Sequence, residues 1–67
     1  MKLLDVVALT ENFPDKHLDR GQVGTLVEEL VPGVWEVEFS DLNGRTYAMA
    51  AVPESSLMPL HHKAIAA

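Results

Sequence analysis

The sequence predicts an all-β domain, a five-stranded small barrel with a long first loop and a 3₁₀ turn before its last strand. Three observations lead there. Pro14, Gly21, Gly24, Pro32-Gly33, Asn43-Gly44 and Pro53 interrupt the chain about every ten residues, which leaves little room for a full amphipathic helix. Val34 to Phe39 alternates apolar and acidic residues with a period of two. The chain has 67 residues, 48% of them apolar, and no cysteine, so one compact core must form without disulfides or a thiolate zinc site. A curled sheet is an economical way to build such a core.

The elements follow in order. Leu4 to Leu9, rich in Val and Leu, reads as the first strand. From Thr10 to Arg20 the chain is polar, contains Pro14, and reads as a long loop anchored by Phe13 and Leu18. Gln22 to Leu30 is the second strand, with Val23, Thr25 and Val27 on one face and Gly24, Leu26 and Glu28 on the other. A glycine inside a strand marks a bulge or a close backbone approach, and Gly24 is read in that way. Val31-Pro32-Gly33 predicts a type II turn, since proline fixes φ and glycine supplies the positive φ that follows. Val34 to Phe39 turns Trp35, Val37 and Phe39 to one side and Glu36 and Glu38 to the other.

Asp41-Leu42-Asn43-Gly44 closes the next hairpin, with Asn-Gly expected in a primed turn. Arg45 to Val52 is the fourth strand, with Ala48, Ala50 and Val52 inward and Tyr47 and Met49 outward. Pro53 to Ser56 reads as one 3₁₀ turn in which Ser55 and Ser56 cap, and Leu57 to Leu60 as a short fifth strand that returns to the first. The domain therefore spans residues 1–60, with residues 61–67 a flexible or weakly helical tail. The expected core is Val6, Leu9, Val23, Val27, Trp35, Val37, Phe39 and Leu57.

Chemistry is sparse in the sequence. His17, His61 and His62 are the only good nitrogen ligands, and the adjacent pair would point to opposite sides of an extended chain, so no metal site is expected. Ser55 and Ser56 beside Glu54 lack an activating base, and the acidic pairs Glu28-Glu29 and Glu36/Glu38 read as a solvated face rather than an acid/base dyad. Gly21 and Gly24 do not precede a helix, so no phosphate cradle is indicated. No catalytic residue and no cofactor are expected. Met1 to Val7 is broken by charge too soon for a signal peptide, and no run approaches a membrane span, which reads as a soluble cytoplasmic protein without a membrane partner.

Ten acidic residues against five basic ones give a net charge of −5, which weighs against sequence-independent nucleic-acid binding and favours a basic protein partner. The residues expected to meet it are Phe13, Asp15 and Asp19 in the first loop, Glu28, Glu36 and Glu38 as a negative stripe, and Tyr47 as an exposed aromatic.

The element order resembles that of SH3-like small barrels. A closer likeness is carried by Leu3-Leu4-Asp5-Val6-Val7-Ala8-Leu9, Arg20-Gly21-Gln22-Val23-Gly24-Thr25, Glu36-Val37-Glu38-Phe39, Gly44-Arg45-Thr46-Tyr47-Ala48 and Leu57-Met58-Pro59-Leu60. These segments resemble a bacterial family of stand-alone domains of unknown function, DUF4926, over residues 3 to 60. More distantly, Arg20-Gly21-x-x-Gly24-Thr25, Glu38-Phe39 and Leu57-x-Pro59 are similar to the SH3-like carboxy-terminal domain of the nitrile hydratase β subunit. That enzyme's metal ligands lie in a cysteine cluster of its other subunit, so the resemblance implies a barrel that packs on a partner, not catalysis. Arg-Gly-x-x-Gly is also similar to a loop motif of ribosomal and transcription-factor barrels.

The expected function is a non-catalytic protein-interaction module, of the antitoxin or immunity type or an accessory subunit, whose partner is co-expressed. Two alternatives stand beside it. A ribosomal-type nucleic-acid-associated barrel would need Lys2, Lys16, Arg20 and Arg45 to converge, and a structural module would self-associate as a homo-oligomer.

Overall fold

The computed structural model describes residues 1–60 and is all-β. Five strands, β1 (Val6–Leu9), β2 (Val23–Val31), β3 (Val34–Ser40), β4 (Thr46–Pro53) and β5 (Leu57–Pro59), form one antiparallel sheet in the order β4-β3-β2-β1-β5. The two remaining elements are 3₁₀ turns, Pro14–Lys16 and Glu54–Ser56. The tail expected at residues 61–67 lies outside the described residues.

The core shows how the sheet is bent. Val7, Leu26, Val37, Phe39, Ala50, Val52 and Leu57 are buried together with Trp35 and with Leu18 from the first loop. Val52 and Leu57 stand on β4 and β5, the two outermost strands of the ladder, so only a strongly curled sheet can bring them into one cluster. The hydrogen-bonded ladder itself does not join β4 to β5 among the described residues. The barrel is closed by packing and by the Glu54–Ser56 turn, not by a fifth pairing.

Gly24 permits this curl. It pairs with Phe39 on β3 and with Val7 on β1, and its face is the inward one. A Cβ at position 24 would lie 2.6 Å from Val37 Cγ1, 3.0 Å from the Glu38 carbonyl oxygen and 3.0 Å from Phe39 Cδ1. The sequence reading of a close approach is correct, and the inward side chains of β3 occupy the space that a side chain on β2 would need.

The core differs from expectation on β1 and β2. Val6, Val23 and Val27 are not core residues: Val23 is 47% exposed and the other two are half-buried, while Val7, Gly24 and Leu26 point inward. Both faces of β2 carry apolar residues at this end, so alternation alone could not choose between them. Two register shifts follow, between Leu26 and Glu28 and between Glu29 and Val31. The first moves Glu28 off the face of Leu26, where strict alternation put it, to a position opposite Glu36. Leu4 does not belong to β1. It sits in a turn with φ 70°, a strained value for a bulky residue, held by its N–H donating to the Leu26 carbonyl at 2.7 Å.

The turns obey local chemistry. Gly33 has φ 82° in the two-residue Pro32-Gly33 connection, as a type II turn requires. The β3–β4 connection is not the primed turn expected from Asn-Gly. Gly44 has φ 78° but Asn43 does not have a positive φ, and the Asp41 N–H donates to the Arg45 carbonyl at 2.9 Å, leaving a three-residue loop. The Asp41 carboxylate selects this form, because its Oδ1 accepts from the backbone N–H groups of Asn43 at 2.9 Å and Arg45 at 3.0 Å. On β4, Ala48, Ala50 and Val52 turn inward and Tyr47 and Met49 are exposed, as expected.

Polar contacts fasten the Glu54–Ser56 turn. The indole N–H of buried Trp35 donates to Glu54 Oε1 at 2.8 Å, and the Glu54 N–H donates to the Gly33 carbonyl at 2.9 Å. Ser56 does not cap its own turn as expected. It is buried, and its hydroxyl donates to Glu11 Oε2 at 2.7 Å, across 45 residues of sequence.

Two stability measurements test this account. Gly24→Ala should cost about 1–3 kcal/mol in urea unfolding despite alanine's smaller unfolded-state entropy, and Val37→Ala in that background should recover part of the loss. Glu54→Leu, which leaves the Trp35 indole N–H without its acceptor, should cost about 1–3 kcal/mol, whereas Glu54→Gln, which keeps an oxygen there, should cost less than half as much.

Candidate interaction surface

The net charge of the protein has a definite address. Between Gly21 and Gly44 there is no Lys, Arg or His, while Glu28, Glu29, Glu36, Glu38 and Asp41 fall within that span. In the rest of the chain Asp5, Glu11, Asp15, Asp19 and Glu54 are matched in number by Lys2, Lys16, Arg20, Arg45 and Lys63. The whole excess of −5 therefore sits on β2, β3 and their turns. The absence of any cation over 24 residues was a legible signal that composition alone did not expose.

Strand register sorts these carboxylates. Trp35, Val37 and Phe39 are buried, so Glu36 and Glu38 project from the opposite, outer face of β3. Glu28 stands directly opposite Glu36, and Glu38 opposite Thr25 on β2 and Met49 on β4. Glu36 and Glu38 are half-buried and Glu28 is exposed. Thr46 donates its hydroxyl to Glu38 Oε1 at 2.9 Å, which fixes one of the three. Two like charges directly opposed across a ladder cost up to about 1 kcal/mol, so this arrangement is not one that stability would select.

The other expected contact residues lie elsewhere. The first loop is a small hairpin of its own, in which Phe13 and Leu18 exchange backbone hydrogen bonds of 2.8 and 3.1 Å around the Pro14–Lys16 turn. Leu18 is buried and Phe13 packs against the core at half-exposure, while Asp15 and Asp19 are exposed. The loop is further tied down where Asn12 Oδ1 accepts from the Arg20 N–H at 2.8 Å. It enters β2 at Val23, next to the Gly24–Phe39 pair, whereas Glu28 and Glu36 pair three residues further along β3. At about 3.3 Å per residue the two regions are about 10 Å apart along the strand.

Tyr47 belongs to the loop end. It is the extra residue at the shift between the Phe39–Ala48 and Ser40–Thr46 pairs. Its ring lies 6.4 Å from that of Phe39, and its hydroxyl accepts from Gln22 Nε2 at 3.1 Å. The structure thus gathers Glu28, Glu36 and Glu38 on one face, and places Tyr47, Phe13, Asp15 and Asp19 toward the end of the sheet nearer Glu38, away from Glu28 and Glu36. Lys16, Arg20 and Arg45 belong to the loops of that end, and Lys2 precedes β1.

Among the described residues no group of three or more His, Asp or Glu side chains is placed to hold a metal ion. His17 is exposed, and His61 and His62 lie outside the described residues. Among the described residues no helix is long and apolar enough to cross a membrane. No curated protein and no solved structure matches the chain. One family model does, over residues 3–59, and it covers all five strands together with the first loop and the acidic hairpin. The chain belongs to the family described as domain of unknown function DUF4926.

Proposed function

We propose that the domain is a non-catalytic protein-interaction module that engages a basic, co-expressed protein through the outer face of β2 and β3, with the first loop as a second contact. The observation that carries this reading is the segregation of charge: the full net charge of −5 falls on residues 21–44, which contain no cation. A negative face of this kind steers association with a positive partner and fixes its orientation. The opposition of Glu28 and Glu36 supports the same reading, since a like-charge pair is relieved when a cationic side chain arrives between the two carboxylates. In the first loop, exposed Asp15 and Asp19 offer carboxylates beside Lys16 and Arg20, and Phe13 of the loop and Tyr47 of β4 add aromatic surface. An inhibitor of a basic enzyme and an accessory subunit of a larger complex both fit such a surface, and the compartment proposed for either is the cytoplasm.

Two experiments test the proposal. Proteins co-purifying from native lysate are compared by quantitative mass spectrometry between the wild-type chain and Glu36→Lys/Glu38→Lys; a basic protein should be lost from the variant, and unchanged capture would remove the acidic face from the reading. Glu28→Gln should act in opposite directions on stability and binding. It should raise unfolding free energy by about 0.5 kcal/mol at low salt, an effect that fades as salt is added, while weakening capture of the same partner.

A further inference from the structure

The sheet has two edges, and they are chemically different. On β5, Met58 pairs with Ala8, and the flanking bonds from Thr10 N–H to the Ser56 carbonyl and from Leu60 N–H to the Val6 carbonyl show which residues face β1. By alternation, Leu57 and Pro59 present their backbone to the outside. Proline has no N–H, and the Leu57 N–H is already donated to the Glu54 carbonyl. That edge offers no free donor over its three residues.

The edge of β4 is different. The Glu54 N–H donates to the Gly33 carbonyl and the Asp41 N–H to the Arg45 carbonyl, which makes Trp35–Val52, Val37–Ala50 and Phe39–Ala48 the hydrogen-bonded pairs of the β3–β4 ladder. Met49 and Ala51 therefore aim both N–H and C=O outward, and among the described residues no strand pairs with them on that side. Pro53 blocks the far end, leaving Tyr47 to Val52 as a six-residue window without a charge or a proline.

We propose that this edge accepts an extended segment of the partner chain as an added strand, and that the segment carries Lys or Arg at alternating positions with apolar residues between them. The inference rests on the protein-interaction reading above and names the chemistry of the partner. Met49 stands beside Glu38 and Ala51 beside Glu36, so outer-face side chains of an added strand lie one strand away from both carboxylates. Ala51 places only a methyl group between them, and the stem of a Lys or Arg can lie across it to bring its charge to Glu36. On the other face the added strand runs beside Ala48, Ala50 and Val52, which calls for apolar residues. Backbone pairing supplies affinity, and the carboxylate row supplies register and sign.

The test uses the full chain and an acetylated eight-residue peptide of alternating lysine and valine. Amide hydrogen exchange at Met49 and Ala51 should slow about tenfold or more at saturation, with Ala50 little changed because its N–H is already bonded. Glu36→Gln/Glu38→Gln should weaken binding about fivefold, and a peptide of alternating glutamate and valine should not bind. Ala51→Pro removes an outward donor without touching a β3 bond and should abolish binding while the thermal transition is retained. The proposal is overturned if the Met49 and Ala51 amides are protected without peptide, as they would be if a second copy or the chain after Leu60 covered them. It is equally overturned if the peptide fails to bind, binds without slowing these amides, or binds no better than its glutamate counterpart. The two readings separate cleanly. If Ala51→Pro leaves capture of the native partner intact while Glu36→Lys/Glu38→Lys abolishes it, the edge inference falls and the acidic face stands; if neither variant alters capture, both fall.

Discussion

The architecture depends on the absence of one Cβ. At position 24 a Cβ would fall 2.6 Å from Val37 Cγ1 and 3.0 Å from Phe39 Cδ1, too close for any other residue without displacement. That close approach lets a five-stranded sheet curl tightly enough to bury residues from both of its outermost strands in one cluster. With no disulfide available, and few residues to share the entropy cost of folding, a less curved sheet would leave too much of its apolar face in water. Curvature substitutes for size. It is also what leaves the outer face of β2 and β3 convex and free of core duties, so that acidic residues can be placed there.

Polar side chains then fix what curvature brings together. Glu54 and Glu11 are spent on structure: one receives the indole N–H of Trp35, the other the hydroxyl of buried Ser56. Each joins the Glu54–Ser56 turn to a distant element, β3 in one case and the start of the first loop in the other. The acids therefore divide by role. Those that meet buried donors hold the barrel shut, and of those on the outer face of β2 and β3, Glu28 and Glu36 oppose one another across the ladder.

Much of this was readable from residue order, and the failures have definite causes. On β4 alanines fall on both faces, Ala48 and Ala50 inward and Ala51 outward, so its register was less sharply marked, whereas β3 was unambiguous because large apolar residues alternate with glutamates. β2 was not, because Val23, Thr25 and Val27 are as apolar as the inward Gly24 and Leu26, and because two bulges break the period that the reading relied on. The same bulges rescued one expectation: Glu28 joins Glu36 through a register shift, not through alternation. The Asn43-Gly44 pair does not set its own turn, because the deciding group is the Asp41 side chain, two residues upstream of Asn43. The acidic face was legible from strand faces. Its separation from the loop and Tyr47 was not, since that depends on how far along β3 each pair falls.

The pairing of β1 with β5 has a consequence for how the chain acquires its structure. β2, β3 and β4 form a meander of neighbours in sequence, whereas Val7 meets Pro59 and Leu9 meets Leu57 only after most of the domain has been made. Closing so long a segment is entropically the slowest of the pairings. During synthesis the outward backbone groups of Val6 and Ala8 remain unpaired until residues 57–59 have left the ribosome, so the nascent domain passes through a stage with reactive edges at both β1 and β4. Docking of the last three-residue strand closes the β1 edge, and from then on only β4 offers unpaired backbone to another chain.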